Sequence, residues 1–568
     1  MTDPGGDKGF TVTPQPLADG SAGGRRWRAR RIGLALVLAT AAAILTIAWL
    51  GPRLSDRPNF DVSFFATPTP PATRSAPPSI VPFGPPRVTP LPQVTRPDGP
   101  PPSGRVAIMT DAFRVLDLGT GEITTGPAAQ FNRDAVFRAP SRDGWTCICF
   151  GDSSGSGGPN LLMRIVGIGP TGLELDSTDI AALPMTPATE VMPPNLTTDV
   201  DTFNGGRRGL LALAARFGDT WQLSVASIDV DGRRLGPVVP VGDVVGPIVR
   251  PSPHPSPEPS AFGLNDLYVD GPHVRVSPDG RIAFVWVGIQ RATFDGLTGT
   301  KVQGWRLALN ADGSIGRVTD APGISRLPIY CSSGGFASAD RMAWMCPLFT
   351  DTASTFDGHW QLSTVDLEGR AAGVVDLQLG ADAFFDAPLF DRANGQAYVW
   401  DATGLTIVRI DIHTLAVTKA TFDPLAQSSS GLTPGGGSAA VDWHGGFSAV
   451  TQYGSGVITG GPDGGRLFAL GFDPQTNSDS GIQPSRGIFV IDRATLALVD
   501  RWAPAADYVL VTALPDGRVA AAGAPAVQTD GRFAPWEASL TIHDAANGRI
   551  LVRFGQLGSD TPAFVVGP

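Results

Sequence analysis

At 568 residues, with 70 glycines and 52 prolines, the chain could hold several ordinary domains or one large repetitive one. That glycine and proline content argues against a helical protein and for many strands joined by tight turns. Residues 1–31 carry six basic and three acidic groups, net +3 against −10 for the whole chain, so the rest carries −13. Such an acidic body argues against nucleic acid or anionic lipid as its main partner.

Residues 32–51, "IGLALVLATAAAILTIAWLG", are uncharged and long enough as a helix to cross the hydrocarbon core of a bilayer. Arg25, Arg26, Arg28, Arg30 and Arg31 precede this stretch, which places the N-terminus in the cytoplasm and the remainder outside. An uncleaved single-pass anchor is expected, with a cleaved signal peptide as the alternative. Residues 52–103 are proline-rich and read as a disordered stalk favouring polyproline II.

From residue 104 onward a turn followed by an apolar strand recurs eight times, as in "RDGWTCICF" from Arg142, "PDGRIAFVW" from Pro278, "ANGQAYVWD" from Ala393 and "PDGRVAAAG" from Pro515. A second hairpin follows each, as in "LDLGTGEITTG" from Leu116, "RIDIHTLAVTK" from Arg409 and "VIDRATLALVD" from Val490. Two hairpins per unit make a four-stranded antiparallel sheet that cannot bury both faces alone. Stacking the units around an axis solves this, so residues 104–568 are expected to form an all-β propeller of eight blades, alternatively seven. The stalk leaves no upstream segment for the innermost strand of the first blade. The terminal "TPAFVVGP" supplies one and would close the ring.

Hairpins such as "VIDRATLALVD" and "LDLGTGEITTG" resemble those of the bacterial WD40-like and quinoprotein-like propellers over residues 104–568. The likeness is one of repeat style. The tryptophan pattern of quinoprotein enzymes is absent, so the resemblance implies a fold and no cofactor.

Catalytic and metal motifs are weak. "SRDGWTC" (Ser141–Cys147) looks like a sialidase Asp-box but lacks one residue of it and occurs once, which favours a blade turn. "DVDTFNGG" from Asp199 has the look of a calcium loop, yet Phe203 stands where an oxygen ligand is needed, and a turn is expected instead. The six histidines are scattered singly, and no nucleophile elbow or phosphate loop occurs in a strand-then-helix context. Among the four cysteines, Cys331 and Cys346 bracket the first hairpin of one blade and are expected to pair. Cys147 and Cys149 lie at i and i+2 of one strand, ~7 Å apart if fully extended, and their pairing is left open.

Loop lengths point to a working face. Tips within each hairpin are tight, whereas insertions such as 151–160, 288–303, 348–358 and 473–485 join the two hairpins of a blade, and 184–196, 244–263 and 425–438 join successive blades. Both kinds emerge on the same side of a propeller, and loops on a rigid scaffold are where binding usually sits. "ATFDG" and "STFDG" recur there in neighbouring blades. The candidate binding residues are Phe294, Asp295, Phe356 and Asp357, with Arg291 and Asp351 as polar additions. The expected function is a membrane-anchored extracytoplasmic binding scaffold for a protein, glycan or small ligand. The alternatives are an extracytoplasmic hydrolase or lyase with a site assembled from loops, and a structural part of an envelope complex.

Overall fold

The computed structural model describes residues 93–566 except 97–101, 111–112, 126–130, 139–143, 153–159, 172–173, 185–195, 218–219, 245–266, 294–295, 329–330, 332–333, 350–355, 380–382, 384–386, 424–442, 446–455, 462, 473–484, 504–507, 515, 524–537 and 559–563. The expected anchor at 32–51, the segment 1–31 and most of the stalk lie outside these residues. Among the described residues no helix is long and apolar enough to cross a membrane.

The chain is built from strands. β1 (Gln93–Thr95) is followed in blade 1 by β2 (Arg105–Met109), β3 (Phe113–Asp117) and β4 (Ile123–Thr125). Blade 2 holds β5 (Phe131–Arg138), β6 (Trp145–Asp152), β7 (Asn160–Ile168) and β8 (Glu174–Pro184). Blade 3 holds β9 (Leu196–Phe203), β10 (Arg208–Phe217), β11 (Thr220–Asp229) and β12 (Arg234–Val244). Blade 4 holds β13 (Leu267–Val276), β14 (Ile282–Thr293), β15 (Gly296–Leu309) and β16 (Ile315–Asp320). Blade 5 holds β17 (Gly334–Phe336), β18 (Arg341–Phe349), β19 (Phe356–Asp366) and β20 (Ala371–Asp376). Blade 6 holds β21 (Leu389–Asp391), β22 (Gln396–Asp401), β23 (Thr406–Asp411), β24 (Val417–Thr421) and β25 (Trp443–Gly445). Blade 7 holds β26 (Ile458–Gly460), β27 (Arg466–Phe472), β28 (Ser485–Asp492) and β29 (Leu498–Trp502). Blade 8 holds β30 (Tyr508–Leu514), β31 (Arg518–Gly523), β32 (Ser539–Asp544) and β33 (Ile550–Gly555), and β34 (Phe564–Val566) ends the chain.

Eight antiparallel sheets result, and the innermost strand of each touches that of the next around a closed circle, with β34 serving blade 1 and β25 bridging blades 5 and 6. The protein is an eight-bladed propeller. As expected, the C-terminal strand completes the first blade, pairing Phe564 to Val566 with Met109 to Ala107.

Alternation along one strand shows why the repeats read as apolar runs. Ala283, Val285 and Val287 of β14 pack into a core shared with blade 3, while Phe284 and Trp286 between them pack into one shared with blade 5. Both faces of a middle strand are therefore buried, and the period of two separates two apolar neighbours rather than oil from water. The outermost strands are wetter, as the exposed and half-buried run of β20 shows.

Several features depart from the expectations. Gln93–Thr95 lies within the predicted stalk yet pairs with Gly555–Arg553, adding a fifth strand to the outer edge of blade 8. Backbone pairing needs only an extended segment, so a short stretch between prolines suffices. The stretch 288–303 is no loop: β14 and β15 stay paired out to Thr293 and Gly296. The insertion after blade 6 contributes β25, which pairs with the axial edge of β21. Asp199 to Phe203 form part of strand β9, and the turn begins only at Asn204. Cys331 pairs with Cys346 as expected, and Cys147 also pairs with Cys149, their Cα atoms 5.6 Å apart. A bulge in β5 opposite Ile148 and Cys149 marks a coiled stretch of the sheet, where an i, i+2 span is shorter than in a flat strand.

Candidate functional site

The two faces of the disc are built differently. Connections between the first and second strands of a blade, and between the third and fourth, are all short, the longest running from Arg138 to Trp145. One turn chemistry recurs among them. In blades 1, 6 and 7 the third strand ends in Asp-x-x-Thr, and the aspartate Oδ1 accepts the threonine amide: Asp117 from Thr120, Asp411 from Thr414 and Asp492 from Thr495, each at 2.8 Å. The threonine backbone amides hold the carboxyls of Asp117 and Asp411 below their usual pKa. These are Asx turns, in which a side chain does the work of a backbone acceptor.

The same face carries the fasteners between blades. Arg341 Nη1 donates to the Ile412 carbonyl at 3.4 Å, Arg466 Nη1 to Ala545 at 2.7 Å, and Arg518 Nη1 to Ser103 at 2.8 Å. Each arginine opens the second strand of its blade, directly after the tight turn, and reaches the following blade. In these three blades the stretch that makes the turn thus also supplies a latch. Gly280 of the blade 4 turn is required twice over: it adopts φ 68°, and a Cβ on it would lie 2.9 Å from Phe203 of blade 3. Deeper on this face the Arg493 guanidinium of blade 7 pairs with Asp391 of blade 6, whose side chain is fully buried.

The opposite face receives the connections after second and fourth strands. They vary widely and include the long spans from Val244 to Leu267, Thr421 to Ile458, Phe472 to Ser485 and Gly523 to Ser539, the last unremarked in the loop-length reading. Of the predicted binding residues, Arg291, Phe356 and Asp357 lie in strands that lead to or from this side. Phe294 and Asp295 fall between Thr293 and Gly296, at the tip of the long hairpin of blade 4, and lie outside the described residues, as does Asp351. Arg291 is in β14 in register with Leu267, and Phe356 and Asp357 begin β19 in blade 5.

A polar cluster that sequence reasoning missed lies between the innermost strands of blades 3, 4 and 5. Asp199 and Asp201 occupy one face of β9. Asp199 Oδ2 accepts the Val274 amide at 2.8 Å and Arg275 Nη1 at 2.9 Å, and Asp201 Oδ2 accepts the Val276 amide at 2.7 Å. Arg275 Nε in turn donates to the Gly334 carbonyl of blade 5 at 3.2 Å. Burial pushes the Asp201 carboxyl up to about 6, against the pull of Arg275 and the Val276 amide. The sequence shows only that two acids at i, i+2 share one face of a strand; it does not show which donors they meet across the seam. In blade 8, His543 is buried between Tyr508 and the Gly548 carbonyl. Its Nδ1 lies 2.9 Å from that carbonyl and its Nε2 3.1 Å from the tyrosine hydroxyl, and burial holds its pKa below the usual value. Among the described residues no three His, Cys, Asp or Glu side chains gather to hold a metal ion.

No protein-family model and no curated protein matches this sequence. Solved structures give distant likenesses. The dihydro-heme d1 dehydrogenase NirN in complex with DHE is 11% identical, with 83% of this chain and 76% of that one covered and a TM-score of 0.38. A Lactobacillus plantarum protein is 12% identical, covering 81% and 98%, with a TM-score of 0.35. Chaetomium thermophilum Sqt1 is 10% identical, covering 78% and 88%, with a TM-score of 0.32. Likenesses this distant say nothing of activity, and the fold rests on the sheet order.

Proposed function

We propose that this chain is an extracytoplasmic propeller, held to the membrane through residues 32–51, that binds a partner on its variable face. One observation carries the reading: on one side every connection is short and several are Asx-capped or arginine-latched, whereas all the long connections are on the other. Length that folding does not need, mounted on a rigid ring, is the usual arrangement of a binding surface. The two disulfides favour an oxidising compartment, in keeping with a location beyond the membrane. No constellation among the described residues favours the enzyme alternative.

The test is site-specific photocrosslinking of the full-length chain in intact cells. Crosslinkers at positions 294 and 356 should trap a partner, and those at Arg281 and Glu368 on the short-turn face should not. Equal trapping from both faces would overturn the reading. A C-terminal reporter that works only outside the cytoplasm tests the orientation separately.

A further inference from the structure

The strand edges that face the axis of the ring are closed in two ways. In blades 3, 4, 5 and 8 side chains close them. Asp199 and Asp201 take the Val200 and Thr202 amides of β9 on Oδ1, and the Val274 and Val276 amides of β13 on Oδ2, at 2.7–2.9 Å. Arg275 Nε donates to the Gly334 carbonyl of β17, and the Ala513 amide of β30 donates to Thr459 Oγ1 at 3.1 Å. A backbone group bonded to a side chain is withdrawn from pairing with another strand, which protects an edge against unwanted addition.

Blade 6 is closed by main chain instead. β21 to β24 complete the four strands common to the blades, and β25 is a fifth, laid antiparallel on the axial edge. Trp443 lies opposite Asp391, His444 opposite Phe390 and Gly445 opposite Leu389, and the pairing ends there. β25 also touches β17 of blade 5, so it lies inside the ring. It arrives through the connection from Thr421 to Ile458, which emerges on the variable face. The edge beneath it is held from behind: Leu389, Phe390 and Asp391 are buried in the blade, and the Asp391 carboxylate accepts Arg493 and Asn394. Backbone pairing of this kind asks for an extended segment and no particular side chains, as β1 shows on the outer edge of blade 8.

We propose that the axial edge of β21 is a strand-addition site for an extended peptide segment of the partner, occupied in cis by β25 until that segment takes its place. The inference rests on the reading of the variable face as the binding face. It adds how the partner is held, by main-chain hydrogen bonds to Leu389–Asp391 reached from that face. A tethered strand competes at an effective concentration on the order of millimolar, so the incoming segment prevails when contacts on the variable face supplement its main-chain bonds. Closure of the ring does not depend on the exchange, because β34 supplies it.

A synthetic peptide with the sequence of residues 440–448, carrying a photoreactive group at the position of His444, serves as the probe. It is added at about 1 mM to the full-length chain, unaltered or carrying Trp443→Pro, His444→Pro and Gly445→Pro together, whose own segment has lost its amide donors. Crosslinks to the variant should be several-fold more frequent than to the unaltered chain and should map to residues 389–391. The same peptide with prolines at those three positions should give none. Equal yields from the two chains, no yield from the variant, or crosslinks mapping elsewhere would overturn the proposal. Should the variant fail to fold, amide exchange of the unaltered chain decides: the peptide should speed exchange in Trp443–Gly445 while Leu389–Asp391 stay protected, and unchanged exchange in Trp443–Gly445 would sink the idea. None of these outcomes involves the native partner, so a failure here is distinct from a failure of trapping at positions 294 and 356.

Discussion

Arg466 of blade 7 donates through Nη1 to the carbonyl of Ala545 in blade 8, at 2.7 Å, and to that of Ala546 at 3.2 Å. One guanidinium thus closes a seam by engaging a turn of the next blade. Arg281 occupies the equivalent place in blade 4, but its side chain is 82% exposed and its ionic neighbour is Asp279 of its own turn, 3.9 Å away.

Replacing Arg466 by methionine should cost about 1–3 kcal/mol, the range for a charge-assisted bond lost from a half-buried setting. Arg281→Met should change stability by no more than about 0.5 kcal/mol. Urea denaturation of both variants checks the contrast, and equal losses would show that the latch has no special weight.

Ring closure depends on the far C-terminus. Deleting residues 560–568 removes β34 and leaves the inner edge of β2 bare where Phe564 to Val566 had paired. The truncated chain should aggregate or become rapidly cleaved by trypsin, because an unpaired edge strand and an opened core are exposed together. Unchanged melting and cleavage would mean that the clasp is dispensable.

The two disulfides should differ in weight. Without reductant the intact chain should be four hydrogens lighter than after reduction. Chain entropy assigns about 3 kcal/mol to Cys331–Cys346, separated by 15 residues, and about half that to Cys147–Cys149, separated by 2. Paired alanine substitutions, compared by thermal unfolding, should rank in that order.

His543 should impose an acid limb on stability. Burial lowers its pKa from 6.5, so its contribution is complete above that value and is lost as pH falls below it, when the unfolded chain gains a proton that the folded one refuses. His543→Leu lacks this dependence but leaves the Gly548 carbonyl and Tyr508 hydroxyl without their partner. The stability advantage of the unaltered chain over the variant should therefore shrink from pH 7 to pH 5. Asp201, which runs in the opposite sense, cancels in that difference. An advantage that stays constant with pH would count against a neutral buried histidine.

What the sequence determined by itself is local. The Asp-Gly turns, the alternation within strands, the number of blades and the role of "TPAFVVGP" were all readable, because a hairpin is decided by backbone angles and hydrogen bonds among residues a few positions apart. The pairing of Cys331 with Cys346 followed from the same hairpin geometry. The tertiary structure alone decided which groups meet across a seam. Val276 and Asp201 are 75 residues apart, and Arg466 and Ala545 are 79 apart; neither contact has a local signature, since each forms only when successive blades are packed at fixed rotation about the axis. The short strands β1 and β25 escaped for a related reason. Gln93–Thr95 and Trp443–Gly445 carry no periodic pattern of their own, and their extended form is stabilised by edges that other parts of the chain supply.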